Sequence, residues 1–303
     1  VRPSTLGWIV LSQAIGGATP AFTKLALEGL GPMSLVVTRQ VLGTLFLLAL
    51  AVLRPGGLRR VATSLRPAAY TRREAALLLL LSWAGFALPQ VLGAVGLTLS
   101  SATHGALLSP LEPIGILIGG AIFLREPLTR PRIAAVVLGV AGATLIVAQG
   151  GIEGGSGDLR GDLLMAAGHL AWAIYTVAAK PLLGRHDPLH VAILAGLLSP
   201  VPLLPLAASE PLEIEAATTA FGWIAALAFL STALGTLAWN RGLRRVSAGT
   251  MAAFIFLQPL VGLAIGRLGL DERVGALGVA GALLIVAGVV VAATLGERER
   301  APS

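Results

Sequence analysis

The sequence predicts an all-α integral membrane protein: ten transmembrane helices, arranged as two inverted five-helix repeats. Three observations carry this reading. Long apolar runs recur along the chain, basic residues gather between alternate runs, and the second half repeats the first in register.

The 303 residues are 55% hydrophobic and 12% charged, with a mean hydropathy of +0.85. Soluble domains carry about 25% charged residues, so the charge here is halved. Length alone would suggest about two soluble domains, but each apolar run is long enough to cross a bilayer. The net charge of +7 does not point to nucleic acid, because the arginines sit in short connections between apolar segments. There is no cysteine, hence no disulfide or thiol chemistry. Asn240 is the only asparagine and begins no glycosylation sequon.

A bilayer core of about 30 Å needs about 20 apolar residues as a helix. The expected spans are 5–27, 32–53, 75–97, 102–124, 131–149, 161–181, 189–208, 217–240, 246–267 and 275–295. The first is too long for a signal peptide and matches a later internal segment. Pro200, Pro202 and Pro205 should break the far end of the seventh. Arg54, Arg59, Arg60, Arg66, Arg72 and Arg73 fall after the second span, Arg125, Arg130 and Arg132 after the fourth, Arg185 after the sixth beside Lys180 at its end, and Arg241, Arg244 and Arg245 after the eighth. Arg2, Arg298 and Arg300 lie at the termini. The opposite side is acidic, with Glu153, Asp158, Asp162, Glu210, Glu213, Glu215, Asp271 and Glu272. Positive-inside reasoning therefore puts both termini in the cytoplasm, which implies a multi-pass protein of the bacterial cytoplasmic (inner) membrane.

The repeat is read directly. Residues 139–148, GVAGATLIVA, match 278–287, GVAGALLIVA, at nine of ten positions. Leu111-Glu112-Pro113 matches Leu257-Gln258-Pro259, Ser101-Ala102 matches Ser247-Ala248, and Glu126 matches Glu272. Lys24 and Pro32 recur as Lys180 and Pro188 at one spacing. Five helices per half is an odd number, so the copies have opposite orientations. The expected boundary divides 1–149 from 150–303. A proline in the fourth helix, the loop Arg125-Glu126-Pro127-Leu128-Thr129 and a glycine-rich fifth helix resemble the EamA module of the drug/metabolite transporter superfamily, twice over nearly the whole chain. Within it the chain looks most similar to the YddG-type amino-acid exporters. The resemblance implies a ten-helix transporter of two inverted repeats. The second copy departs from the pattern, with Gln258 in place of Glu112 and a shorter loop after Glu272.

Ionisable and polar groups at membrane depth are expensive and mark function. Counting about 1.5 Å per residue from the outer helix ends, Arg39, Gln90, His169, Gln258, Glu112 and Trp172 fall in one layer, at about 10 to 16 Å. Gln13, Gly17, Pro20 and Lys24 share a face of the first helix, while Trp83, either Phe86 or Ala87, and Gln90 share one of the third. His104, Leu108 and Glu112 share a face of the fourth, while His169, Trp172 and Thr176 share one of the sixth, with Tyr175 nearby. The candidate substrate-binding set is Gln13, Arg39, Trp83, Gln90, Glu112, His169, Trp172, Tyr175 and Gln258. Competing structural roles are an Arg39–Glu112 pair and simple packing for His169, Trp83 and Trp172. Lys24 is expected to snorkel to the outer surface, and Glu126 and Glu272 to bond loop backbone or arginines. Gly115 with Gly119, and Gly262 with Gly266, read as close helix packing.

The chain lacks an ATP-binding loop, an HExxH metal motif and a Gly-x-Ser-x-Gly context for Ser109. These absences favour a secondary transporter without cofactor or metal over an enzyme. The expected partners are a small-molecule substrate and membrane lipids, not nucleic acid. The expected function is export of small metabolites, amino acids with aromatic or other neutral side chains, by alternating access. The rival cargo classes are nucleotide sugars, phosphate esters and drugs, with an intramembrane enzyme as a further alternative. A phosphate-bearing cargo would want clustered cations, and only Arg39 and Lys24 are at hand.

Overall fold

The computed structural model describes residues 1–100, 105, 108–149, 158–261, 264 and 275–295. His104, Gly262, Gly266, Glu272 and the terminal Arg298 and Arg300 lie outside the described residues. The chain is all-helical there. The helices are α1 (Pro3–Ala26), α2 (Pro32–Val52), α3 (Arg72–Leu99), α4 (Leu111–Phe123), α5 (Arg130–Gln149), α6 (Leu159–Leu183), α7 (Pro188–Ser209), α8 (Ile214–Arg245), α9 (Ala248–Val261) and α10 (Ala276–Thr294). A short surface helix, Gly57–Ser64, follows α2.

Among the described residues, seven of these helices are long and apolar enough to cross a membrane: α2, α3, α5, α6, α7, α8 and α10. The described parts of α4 and α9 are apolar but shorter. α1 has the length, 24 residues or about 36 Å, but Gln13, Thr19, Lys24 and its glycines lower its hydropathy. The protein is thus a multi-pass membrane protein.

Local chemistry sets the helix ends. Pro32 and Pro188 occupy first-turn positions, where a missing N–H costs nothing. Asp158 and Asp187 cap α6 and α7, and Thr71 with Glu74 forms a capping box on α3. Two caps come from far along the chain. Glu210 accepts from the Met33 and Ser34 N–H groups at the start of α2 (3.0 and 2.8 Å). Glu126 accepts from the Ala248 and Gly249 N–H groups at the start of α9 (3.0 and 3.1 Å) and lies 3.7 Å from Arg132. Arg125 takes a left-handed conformation, φ 55°, which turns the chain so that the Glu126 N–H reaches the Gly120 carbonyl. The backbone and arginine role expected for Glu126 is observed.

The structure also departs from expectation. α3 and α8 each widen into a π-helical stretch, Trp83–Ala87 and Leu227–Gly235. Such stretches insert an extra residue into a turn and re-aim side chains. They fall in corresponding helices of the two halves. Arg241, Arg244 and Arg245 belong to the last turns of α8 rather than to a loop. α7 does break where its prolines predict: the regular helix ends at Leu198, passes through the turn Val201–Leu203 and resumes over Leu204–Ser209.

The halves meet reciprocally. A Cβ added to Gly142 would stand 2.5 Å from the Gly281 carbonyl oxygen and 2.7 Å from Ile285. One added to Gly281 would stand 2.5 Å from the Gly142 carbonyl oxygen and 2.9 Å from Ile146. These glycines and isoleucines are partners in the internal repeat, so the α5–α10 contact maps onto itself when the halves are exchanged. Only a residue without a side chain admits so close a crossing. Elsewhere the halves trade partners: α6 packs along α3 and α4, whereas α1 packs along α8 and touches α9.

Candidate functional site

The site is built from α1 and α6, the first helices of the two halves. On α1, Gln13 is buried and its side-chain carbonyl accepts from Gln258 Nε2 of α9 at 3.0 Å. Gly16 and Gly17 make this possible. A Cβ at Gly16 would lie 2.7 Å from Gln258 Nε2, and one at Gly17 would lie 2.8 Å from the Gln258 carbonyl oxygen. On α6, His169 Nδ1 lies 3.5 Å from Glu112 Oε2 of α4. Gly115 sits 3.0 Å from Ala173 by the same measure, and Gly119 2.9 Å from Val177, which is the close packing expected of these glycines. The register that carries Lys24 to Lys180 carries Gln13 to His169. Glu112 already matches Gln258, so the two polar contacts are copies of each other.

Above His169 on α6 stands an aromatic wall. Trp172 stacks on Tyr175 at 4.8 Å with 8° between planes, and Phe86 of α3 and Trp239 of α8 lie 6.3 and 6.0 Å from Trp172. Tyr175 is fully buried, and its hydroxyl donates to Asn240 Oδ1 at 2.9 Å. It therefore backs the wall while the partly exposed Trp172 faces it. The Trp239 indole N–H and the Gln90 side-chain carbonyl are buried with no hydrogen-bond partner. Each is an unmet buried polar group, which native packing rarely leaves without a reason.

Arg39 and Glu112 do not pair. The Arg39 guanidinium donates to Thr232 Oγ1 (3.0 Å) and Ser231 Oγ (2.9 Å), and Ser231 in turn accepts from Thr19 Oγ1 (3.0 Å). The π-helical stretch of α8 aims both hydroxyls at α2, where Gly43 allows close approach to Ala228 and Thr232. Arg39 is thus held by neutral hydroxyls at 5% exposure. The partners of this guanidinium are hydroxyls rather than a carboxylate.

Of the residues expected at the site, the structure brings together Gln13 with Gln258, Glu112 with His169, and Trp172 with Tyr175. Arg39 forms a separate cluster. Trp83 is not part of the aromatic wall: its indole N–H donates to the Leu198 carbonyl at 2.9 Å and the residue is 44% exposed. Sequence reasoning missed Trp239, Thr19, Ser231 and Thr232. The polar pair Ser231-Thr232 within the apolar run of α8 was the available signal.

Comparison with known proteins agrees with this architecture. The uncharacterized transporter YyaM of Bacillus subtilis (strain 168) is 29% identical over 206 residues, which cover 65% of this chain and 66% of that protein, just under two thirds of its length. A probable terminal-alkyne amino-acid exporter of Streptantibioticus cattleyicolor is 29% identical over 294 residues, covering 94% of this chain and 92% of the relative. A solved crystal structure superposes with a TM-score of 0.78 over 99% of this chain and 100% of its own, at 17% identity, and so shares the fold. Residues 3–148 and 159–294 each match the EamA-like transporter family, and the chain belongs to that family.

Proposed function

We propose that this transporter exports amino acids with neutral, chiefly aromatic side chains across the cytoplasmic membrane of a bacterium. The halves, 1–149 and 150–303, would rock about the α5–α10 contact, with both termini in the cytoplasm. The cargo would bind between α1, α3, α4, α6, α8 and α9, at the layer holding Gln13, Gln90, Glu112, His169, Trp172 and Gln258. The observation that carries the reading is Trp172, stacked on Tyr175 one helical turn from the Glu112–His169 pair. An aromatic face suits an apolar side chain, and few fixed charges suit a zwitterion. The Arg39 cluster would meet the cargo carboxylate on its path. The Streptantibioticus relative, named as an amino-acid exporter, supports the cargo class.

Counterflow in vesicles with purified protein tests it. Labelled phenylalanine should enter saturably and be displaced by unlabelled neutral amino acids. Trp172→Ala should lower the flux about tenfold with folded yield unchanged, since truncating a stacked aromatic costs about 1–3 kcal/mol of ligand contact. An absence of saturable amino-acid flux alongside saturable flux of a phosphate ester would replace this reading with its rival.

A further inference from the structure

Lys24 and Lys180 occupy matching places near the ends of α1 and α6, yet the structure treats them differently. Lys180 Nζ donates to the Leu243 and Val246 carbonyls at 2.6 and 2.5 Å. These carbonyls close α8, where the helix dipole favours a cation. That end of the molecule is packed: Leu243, Val246 and Ser247 are 0%, 3% and 0% exposed. The register that matches Ser101-Ala102 to Ser247-Ala248 matches Leu97 and Ser100, at the end of α3, to Leu243 and Val246. There Lys24 is exposed, Thr98 and Leu99 are exposed, and Ser100 is half-buried.

The helix groups explain why this contact crosses a moving boundary. α6 lies with α3 and α4, and α1 with α8. Gly96 of α3 would meet Met165 of α6 as Gly242 of α8 would meet Ile9 of α1, another repeated pair. Lys180 therefore ties the α3–α4–α6 group to the α1–α8 group at one end. Lys24, on α1, is placed to tie the same two groups at the other end, through the close of α3.

We propose that Lys24 and Lys180 are alternating latches. Lys180 holds the end of α8 in the state seen here, and Lys24 caps the Leu97 and Ser100 carbonyls in the opposite state. The inference rests on the alternating-access reading. Two matching lysines let each state replace the cation–carbonyl bonds lost from the other, which keeps the two states close in free energy.

The absence of native cysteine allows a direct test on the purified full chain. Thr98→Cys reports on the open end and Val246→Cys on the closed one, each by its rate of labelling with a water-soluble maleimide. Lys180→Ala should speed labelling at Val246→Cys about tenfold and slow it at Thr98→Cys, a shift in the balance between two states. Lys24→Ala should move both rates the opposite way, and Lys180→Arg, which keeps a cation, should stay near the parent. The latch is overturned if both alanine variants move the reporters in the same direction or leave them unmoved. Glu126→Gln, which loosens the start of α9 at the Lys180 end while leaving both lysines in the chain, separates the two ideas. If it trades the rates while the lysine variants do not, the latch fails and alternating access stands. If no variant trades them, alternating access fails as well.

Discussion

The contacts Glu112–His169 and Gln13–Gln258 are the same piece of architecture written in two chemistries. Each joins the first helix of one half to the fourth helix of the other, α6 with α4 and α1 with α9. One holds a carboxylate 3.5 Å from an imidazole, and the other holds two amides 3.0 Å apart. An amide pair is neutral and has no ionisable group, whereas a carboxylate and an imidazole are both ionisable. The packing around them is also mirrored in the opposite sense. Gly17 faces Val261 at the amide contact, while Ala173 faces Gly115 at the ionisable one. α6 carries Trp172 where α1 carries Gly16. A duplicated fold has thus kept its geometry and specialised one copy for charge and aromatic contact, leaving the other as a close, neutral crossing.

The strongest way to break this comparison is at the neutral crossing. Gly17→Leu would drive a side chain into the Gln258 carbonyl and Val261, where even a Cβ stands at 2.8 and 2.9 Å. Overpacking of this kind costs about 1–3 kcal/mol or more, so thermal unfolding in detergent should shift down by several degrees and flux should be lost. A variant with parental stability would show that the crossing is looser than described.

Next in size is the exchange of chemistries. Glu112→Gln copies the neutral contact into the ionisable one. Flux measured between about pH 6 and pH 8 should flatten, with a loss of about tenfold in pH-driven accumulation, because the ionisable carboxyl at membrane depth is gone. Exchange of labelled cargo should persist. The reverse swap, Gln258→Glu, should introduce a pH response absent from the Gln13 contact. An unchanged pH profile in both variants would remove charge from the comparison.

A smaller effect is expected from His169→Gln, which leaves Glu112 facing an amide. The contact is long, at 3.5 Å, and a typical intramolecular hydrogen bond contributes about 0.5–1.5 kcal/mol net. Stability should fall by about 1 kcal/mol, with the pH response weakened rather than abolished. A variant more stable than its parent would mean that His169 is strained against Glu112 rather than bonded to it.

The smallest effect is a coupling near zero. Arg39 bonds Ser231 and Thr232 rather than Glu112, so the stability losses of Arg39→Gln and Glu112→Gln should add to within about 0.5 kcal/mol. A coupling well above that in the double-mutant cycle would restore the direct pair weighed from sequence.

The pattern of apolar runs, the repeated GVAGA segment and the spacing of prolines determined the membrane class, the helix order and most helix ends. α2, α5 and α10 begin and end within about three residues of their sequence-based spans, because hydrophobic length is imposed by the bilayer rather than by neighbouring helices. Counting rise along the helices likewise put Glu112, His169 and Gln258 at similar depth, and helical spacing gave Glu112, His169 and Gln13 each a shared polar face. It could not say which of them touch, since depth along a helix fixes one coordinate and rotation between helices the others. An Arg39–Glu112 pair therefore stood as one competing role for Arg39, whereas tertiary packing supplies two hydroxyls. Those hydroxyls lie in the stretch where α8 widens, Leu227–Gly235, a backbone event that apolar composition does not signal. The exposure of Trp83, the burial of Tyr175 and the unequal surroundings of Lys24 and Lys180 were also decided by the tertiary structure. Each depends on which helices of the opposite half lie alongside and on which end of the bundle is closed, and both follow from the packing of the two repeats rather than from either repeat's own residues.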